Sequence, residues 1–292
     1  MPVGVPKRRA AAVSDAFLLS VGQSDTARLI ESLPQRDNEP SSLEKLLEAN
    51  AEFRVREWPE PYNRTSHTLQ LGDSRELRSL PDQSVHLVVT SPPYWTLKVY
   101  NDHPEQMGAI ADYEKFLDEL DRAWTECFRV LVPGGRVCCV VGDVCLARKD
   151  VGRHLVMPLH ADILVRSRRI GFDALTPIFW HKIANGAMET EGNGAGFNGK
   201  PYQPGAVVKN DIEYILFMRK GGKYRSVPPL AKALSMVNKQ EMQAWFRSIW
   251  TDVPGASTAQ HPAPYPVELA QRLIRMFSFA GDTVLDPRQS DD

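Results

Sequence analysis

The hexapeptide Thr90-Ser91-Pro92-Pro93-Tyr94-Trp95 gathers a hydroxyl, two free carbonyls and two aromatic rings in one turn. It follows Val85-His86-Leu87-Val88-Val89, mostly apolar and β-branched, so it closes what reads as a buried strand. Successive prolines offer no N–H to a sheet ladder, and the chain must leave the sheet there as a stiff, extended turn. Ligands of open α/β sheets bind at strand carboxyl ends. The set suits a planar group bearing an amino substituent, with acceptors for its N–H bonds and a ring to stack on.

A strand–helix alternation positions this turn. Thr68–Leu71 reads as a short strand ending in Gly72-Asp73, Ser74–Leu80 as a short helix, and Val85–Val89 as the next strand. Tyr113, Phe116, Leu117, Leu120, Trp124, Cys127, Phe128 and Leu131 keep helical spacing, with charges on the other face. Pro133-Gly134-Gly135 stops that helix, and Arg136–Val141 is an apolar strand ending in Gly142-Asp143. Leu155–Ile170 reads as a helix, and Leu175–Trp180 and Ile212–Met218 as strands. Pro266 suits the first turn of an amphipathic helix carrying Leu269, Leu273, Ile274 and Phe277. Residues 281–287 read as a last strand with Asp286 at its end. This alternation predicts an α/β fold with a mostly parallel sheet and right-handed crossovers.

Residues 1–67 form a separate N-terminal region, partly helical near 24–33 and 42–53, with a linker at 34–40 between the two helices. The 292 residues are 42% hydrophobic and 24% charged, which allows one large domain or two small ones. The net charge of −1 leaves nucleic-acid binding to local patches. Cys127, Cys138, Cys139 and Cys145 lack metal-ligand spacing and read as reduced core residues of a cytoplasmic protein. No apolar run is long enough to span a bilayer.

Residues 184–208 hold six glycines, and a loop of that length inside a domain is commonly functional. From Val208 to Arg247 eight Lys/Arg face three Asp/Glu, a modest basic surplus.

In this order, the motifs resemble those of the amino-methylating DNA methyltransferases, in the permuted (beta-type) group that places the catalytic motif before the cofactor motif. Thr90–Trp95 is similar to the cytosine-N4 form of that motif, with Ser in the first place. Leu71-Gly72-Asp73 sits upstream; Leu131–Gly135, Trp180-His181-Lys182, Asp211–Ile215, His261–Pro266 and Val284–Pro287 follow in family order. The resemblance spans residues 68–287, with a variable recognition region at about 183–257, and implies a Rossmann-like, S-adenosylmethionine-dependent methyltransferase fold.

The resemblance implies methyl transfer from S-adenosyl-L-methionine to N4 of a flipped cytosine in double-stranded DNA, within a restriction–modification system and beside a cognate endonuclease, without a metal. Ser91 and the Pro92 carbonyl would accept the amino hydrogens, Pro93 would stiffen the turn and Tyr94 would stack on the base. Asp73, Asp286, Pro287 and the segment with His261, Pro262, Pro264 and Pro266 would line the cofactor. Lys182, Lys200, Lys209, Lys220, Lys223 and Arg225 would meet DNA. In the family a Phe and a glycine-rich turn follow Asp-Pro; here Arg288–Asp292 follow. The expectation is therefore a cofactor side truncated within its motif. Three alternatives stay open: adenine-N6 methylation, an inactive DNA-binding remnant, and one half of a split enzyme completed by a second chain.

Overall fold

The computed structural model describes residues 25–35, 40–97, 106–146, 148–182, 210–256 and 266–287. They fall into two compact units, one from Met1–Ser66 with Val227–Met236, the other from His67–Ser226 with Val237–Asp292. The principal helices are α1 (Pro40–Phe53), α2 (Tyr113–Val130), α3 (Leu159–Ile170), α4 (Pro229–Ser235), α5 (Lys239–Trp245) and α6 (Val267–Phe277); a further helix covers residues 25–31 and a single helical turn covers Arg148–Val151. The strands are β1 (Val85–Thr90), β2 (Leu131–Val141), β3 (Val144–Leu146), β4 (Leu155–Met157), β5 (Phe172–His181), β6 (Ile212–Lys220), β7 (Ile249–Trp250) and β8 (Val284–Leu285).

In the first unit α1 buries Leu46, Ala49 and Phe53, residues that helical spacing places on one face. Asn50, also buried, donates from Nδ2 to the carbonyls of Ala233 at 2.8 Å and Leu234 at 3.3 Å. This tie satisfies helix-end carbonyls of α4 that have no partner within their own helix. The sequence predicts residues 227–236 as part of the variable region of the methyltransferase domain; in the structure they cluster with α1.

The second unit is built on a six-stranded sheet in the order β7-β5-β6-β2-β1-β8. β1 pairs in parallel with both β2 and β8, and β5 in parallel with β7. β6 alone runs the other way, antiparallel to β2 and β5. Strands alternate their side chains across the sheet, so adjacent Cys138 and Cys139 feed opposite cores. Val85 and Val88 join α2 and α3 on one face; Leu87 and Val89 join Leu269 and Leu273 of α6 on the other. β1 is buried on both faces, and each such aliphatic side chain contributes about 1.5–3 kcal/mol. α2 is capped by Asp112, whose side chain accepts the Lys115 N–H at 2.9 Å.

Five expectations need correction. Pro133-Gly134-Gly135 does not stop the helix: α2 ends at Val130, and these three residues lie within β2. Thr68–Leu71 joins no sheet: Leu69 is 99% and Leu71 96% exposed. A strand needs a ladder, and β1 offers that edge to β8 instead. Ser74–Leu80 forms turns, held from outside when Leu77 N–H donates to Glu126 Oε2 at 2.8 Å. Residues 155–170 divide into β4 and α3 at Pro158, whose missing N–H and fixed φ favour a helix start directly after it. Cys145 is exposed on β3, while the other three cysteines are buried.

Candidate active site

β1 and β2 run parallel and in register at Thr90↔Cys139, so the Ser91 turn and Gly142-Asp143 emerge side by side at one end of the sheet. The antiparallel β6 begins there, which brings Glu213 to the same end. Ser91 Oγ lies 3.4 Å from the Tyr94 hydroxyl, and that hydroxyl donates to Glu213 Oε2 at 3.1 Å. Lys182, just past β5, donates from Nζ to Glu213 Oε1 at 2.7 Å. Glu213 is only 8% exposed, so these two partners satisfy a carboxylate that would otherwise be costly to bury. Burial and the Glu213 carboxylate push the Tyr94 phenol well above its usual range. Gly142 lies against this arrangement: a Cβ there would touch Tyr94 Cε2 and Glu213 Cγ, each at 3.4 Å.

Pro92 is buried, while Ser91, Pro93 and Tyr94 remain partly open to solvent. Trp95 turns the chain away at φ 47°, a left-handed conformation that costs a non-glycine residue about 1–2 kcal/mol. Its Nε1 donates to the Ile110 carbonyl at 2.9 Å, and its ring meets Tyr113 edge-on with centroids 5.0 Å apart. Trp95 therefore packs the back of the turn.

A second group stands beside the first. His160 Nδ1 lies 2.7 Å from Asp143 Oδ1, so that ring nitrogen carries the proton. The Asp143 carboxylate also accepts the His160 backbone N–H at 3.2 Å in the first turn of α3. The imidazole stacks on Tyr214 at 3.7 Å between centroids.

The predicted cofactor residues divide. β8 lies parallel to β1, with Val88 opposite Leu285, so Asp286 and Pro287 follow toward the Ser91 end. Asp73 lines an open cleft of about 510 Å³ with Arg75, Gln106, Ile110, Lys115, Asp118, Glu119 and Arg122. Its carboxylate is already engaged: Arg75 donates through its backbone N–H at 2.8 Å and through Nε at 2.9 Å to each oxygen. The Arg75 hydrogen bonds hold the Asp73 carboxyl below its ordinary 3.8. Pro266 takes the N-cap of α6, where its carbonyl accepts the Leu269 N–H at 3.0 Å. His261, Pro262, Pro264, Lys200 and Lys209 lie outside the described residues.

The predicted DNA-binding residues do not share one face. Lys182 is tied to Glu213, within the site. Lys220 stands at the far end of β6, roughly 24 Å from Glu213 at strand rise. There its Nζ donates to the carbonyls of Phe128 at 2.7 Å and Leu131 at 2.8 Å, at the C-terminal end of α2. An ammonium suits that end of a helix. Lys223 and Arg225 follow at the same far end, and Arg225 pairs with Asp282. The count along residues 208–247 merged charges from both ends of one strand.

Cations outside the family motifs do stand at the Ser91 end. β3 and β4 form an antiparallel hairpin directly after Gly142-Asp143. Between its strands are exposed Arg148, Lys149 and Arg153, against one acid, Asp150. Among the described residues none of the three basic groups pairs with a carboxylate, whereas Arg75, Arg122, Arg129, Arg166, Arg219 and Arg272 all do. Glu213 did have a signal in the sequence: it is a charge inside the apolar run 212–218, and a buried charge needs a partner.

Comparison with known proteins places this geometry in a family. A family model described as DNA methylase (N6_N4_Mtase) matches residues 85–287. The chain belongs to this N6/N4 DNA methylase family. The type II methyltransferase M.MjaI of Methanocaldococcus jannaschii is 37% identical over 253 residues, 76% of this chain and 80% of that protein. Among solved structures, TTHA0409 of Thermus thermophilus, complexed with S-adenosyl-L-methionine, is 53% identical, with TM-score 0.61 over 76% of this chain and 78% of that one. The PvuII DNA methyltransferase (cytosine-N4-specific) is 19% identical, with TM-score 0.50 over 74% of this chain and 72% of that one, a likeness of fold. The fold is that of the Rossmann-like methyltransferases.

Proposed function

We propose that this chain transfers a methyl group from S-adenosyl-L-methionine to the exocyclic N4 of cytosine in duplex DNA, as the modification arm of a restriction–modification system. The observation that carries the reading is the Ser91–Tyr94 turn at the carboxyl end of β1, with Ser91 and Tyr94 partly open to solvent and Tyr94 beside Gly142.

The amino nitrogen of a cytosine is a weak nucleophile because its lone pair is delocalised into the ring. Ser91 Oγ and the Pro92 carbonyl accept its two hydrogens, which favours a tetrahedral nitrogen and localises the pair. Tyr94 stacks on the extruded base; extrusion is needed because the amino group is out of reach inside a duplex. The cofactor supplies an already activated methyl group, so holding the nitrogen in line accounts for much of the catalysis.

The residues present fit that cofactor. The cleft at Asp73 has the volume of a small-molecule site. It adjoins the turn through Ile110, the acceptor for Trp95. Asp73 and Asp286 would offer carboxylates to a ligand bearing a diol and cationic groups, with Pro287 beside Asp286. On the DNA side, Arg148, Lys149 and Arg153 would meet phosphates near the extruded base.

Adenine N6 is the second reading, favoured by the family's name, which joins both reactions. Methyl transfer from labelled S-adenosylmethionine to duplex DNA tests the proposal. Incorporation by the wild type and its loss in Ser91→Ala are expected; equal incorporation by both would overturn the assignment of Ser91.

A further inference from the structure

We propose that Glu213 is a positioning residue that makes Ser91 an obligate hydrogen-bond acceptor, acting through the Tyr94 hydroxyl. The inference rests on the reading of Ser91 as acceptor for a base amino group.

A serine hydroxyl has one proton and two lone pairs, so by itself it can either donate to or accept from a ligand. An acceptor for an amino group must turn its proton elsewhere. The structure supplies that place. Glu213 can only accept while it is paired with Lys182 at 2.7 Å. The Tyr94 proton therefore goes to Glu213 Oε2 at 3.1 Å. Tyr94 has no second proton, and its oxygen can only accept from Ser91 Oγ at 3.4 Å. The Ser91 proton then points inward, and its remaining lone pairs face the opening. Lys182 fixes the direction of the whole relay by claiming Glu213 Oε1. Three residues distant in sequence thus decide which way one hydroxyl points, and all three lie on different elements of the sheet end.

The relay predicts what the isosteric variant does. In Glu213→Gln, Lys182 keeps the amide oxygen on its own side and turns the NH₂ group toward Tyr94. The amide then donates to the Tyr94 oxygen, Tyr94 donates to Ser91, and the Ser91 proton points at the incoming amino group. Two donors then face one another, and with one lone pair of Ser91 taken by Tyr94 the hydroxyl is no longer held as an acceptor for the amino group. In Tyr94→Phe the ring remains for stacking but the relay is cut.

The test measures steady-state methyl transfer to duplex DNA by wild type, Glu213→Gln and Tyr94→Phe, together with the fluorescence of 2-aminopurine at the target position. In Glu213→Gln, kcat is expected to fall about tenfold or more, the cost of losing one strong polar contact. KM for DNA and the 2-aminopurine signal stay at wild-type values, which loss of structure would not allow. Tyr94→Phe lowers kcat with the flipping signal retained. Ultraviolet resonance Raman gives a readout without turnover: the Tyr94 doublet is isolated in each background by subtracting the same protein carrying Tyr94→Phe. It reports strong donation to a carboxylate in the wild type and shifts toward the acceptor side in Glu213→Gln, where the amide donates to Tyr94 and Tyr94 donates only to a neutral hydroxyl. Wild-type kcat in Glu213→Gln, or an unchanged doublet, overturns the relay. A wild type that transfers no methyl group but shows the doublet shift overturns the proposed reaction and leaves the relay standing.

Discussion

Lys182 Nζ, just past the end of β5, and Glu213 Oε1, on β6, meet at 2.7 Å beside the Tyr94 hydroxyl, which donates to the other Glu213 oxygen. A lysine that the family resemblance assigns to DNA is thus part of the site's floor. Its side chain is one-third exposed while that of Glu213 is one-tenth exposed, so the ammonium reaches from water to a carboxylate that does not. Removing it leaves a buried charge with one partner. Lys182→Met should lower stability by about 1–3 kcal/mol, less than a fully buried pair would. Adding Glu213→Gln should recover part of that loss. A double-mutant cycle by urea unfolding checks both; additive losses would show that the two groups are not coupled.

DNA affinity should depend on the hairpin and not on the far end of β6. Charge-neutral substitution of Arg148, Lys149 or Arg153 is expected to weaken binding across sequences and to reduce the salt dependence of the logarithm of affinity by about one per residue. Lys220→Gln should leave that slope unchanged, because Nζ is already bound to helix-end carbonyls. Its cost should be seen in thermal stability instead. Binding isotherms across a salt series check the contrast.

The Asp73 carboxyl should stay ionised further into acid than a free aspartate. The Arg75 hydrogen bonds lower its folded value below 3.8. A folded value below the unfolded one means that the unfolded chain binds the proton first. The stabilisation is therefore present above 3.8 and is lost as pH falls through the lowered folded value. Carboxyl carbon NMR should show Asp73 titrating below 3.8 in the wild type and moving upward in Arg75→Gln. No movement would separate the two groups.

Much of this was legible in the sequence where pattern and packing agree. β1 reads from its apolar run, and α2 from helical spacing that its buried face repeats. Thr90–Trp95 reads as a turn because two prolines leave the chain few choices. Thr68–Leu71 has the composition of a strand and still forms none, because pairing is a property of neighbours rather than of composition. Lys220 and Lys182 look alike in sequence, but they stand at opposite ends of the sheet, which only the reversal of β6 explains. Glu213 sits inside a run recognisable as a strand, but its partners come from positions 31 and 119 residues away.

The central claim is that Ser91 and Pro92 present acceptors to a cytosine amino group. The most direct measurement is the identity of the modified nucleoside after incubating DNA with this chain and labelled S-adenosylmethionine, by enzymatic digestion and mass spectrometry. N4-methylcytosine, absent when Ser91→Ala replaces the wild type, is the expected result. Label found in N6-methyladenine, or no label in DNA at all, would contradict it.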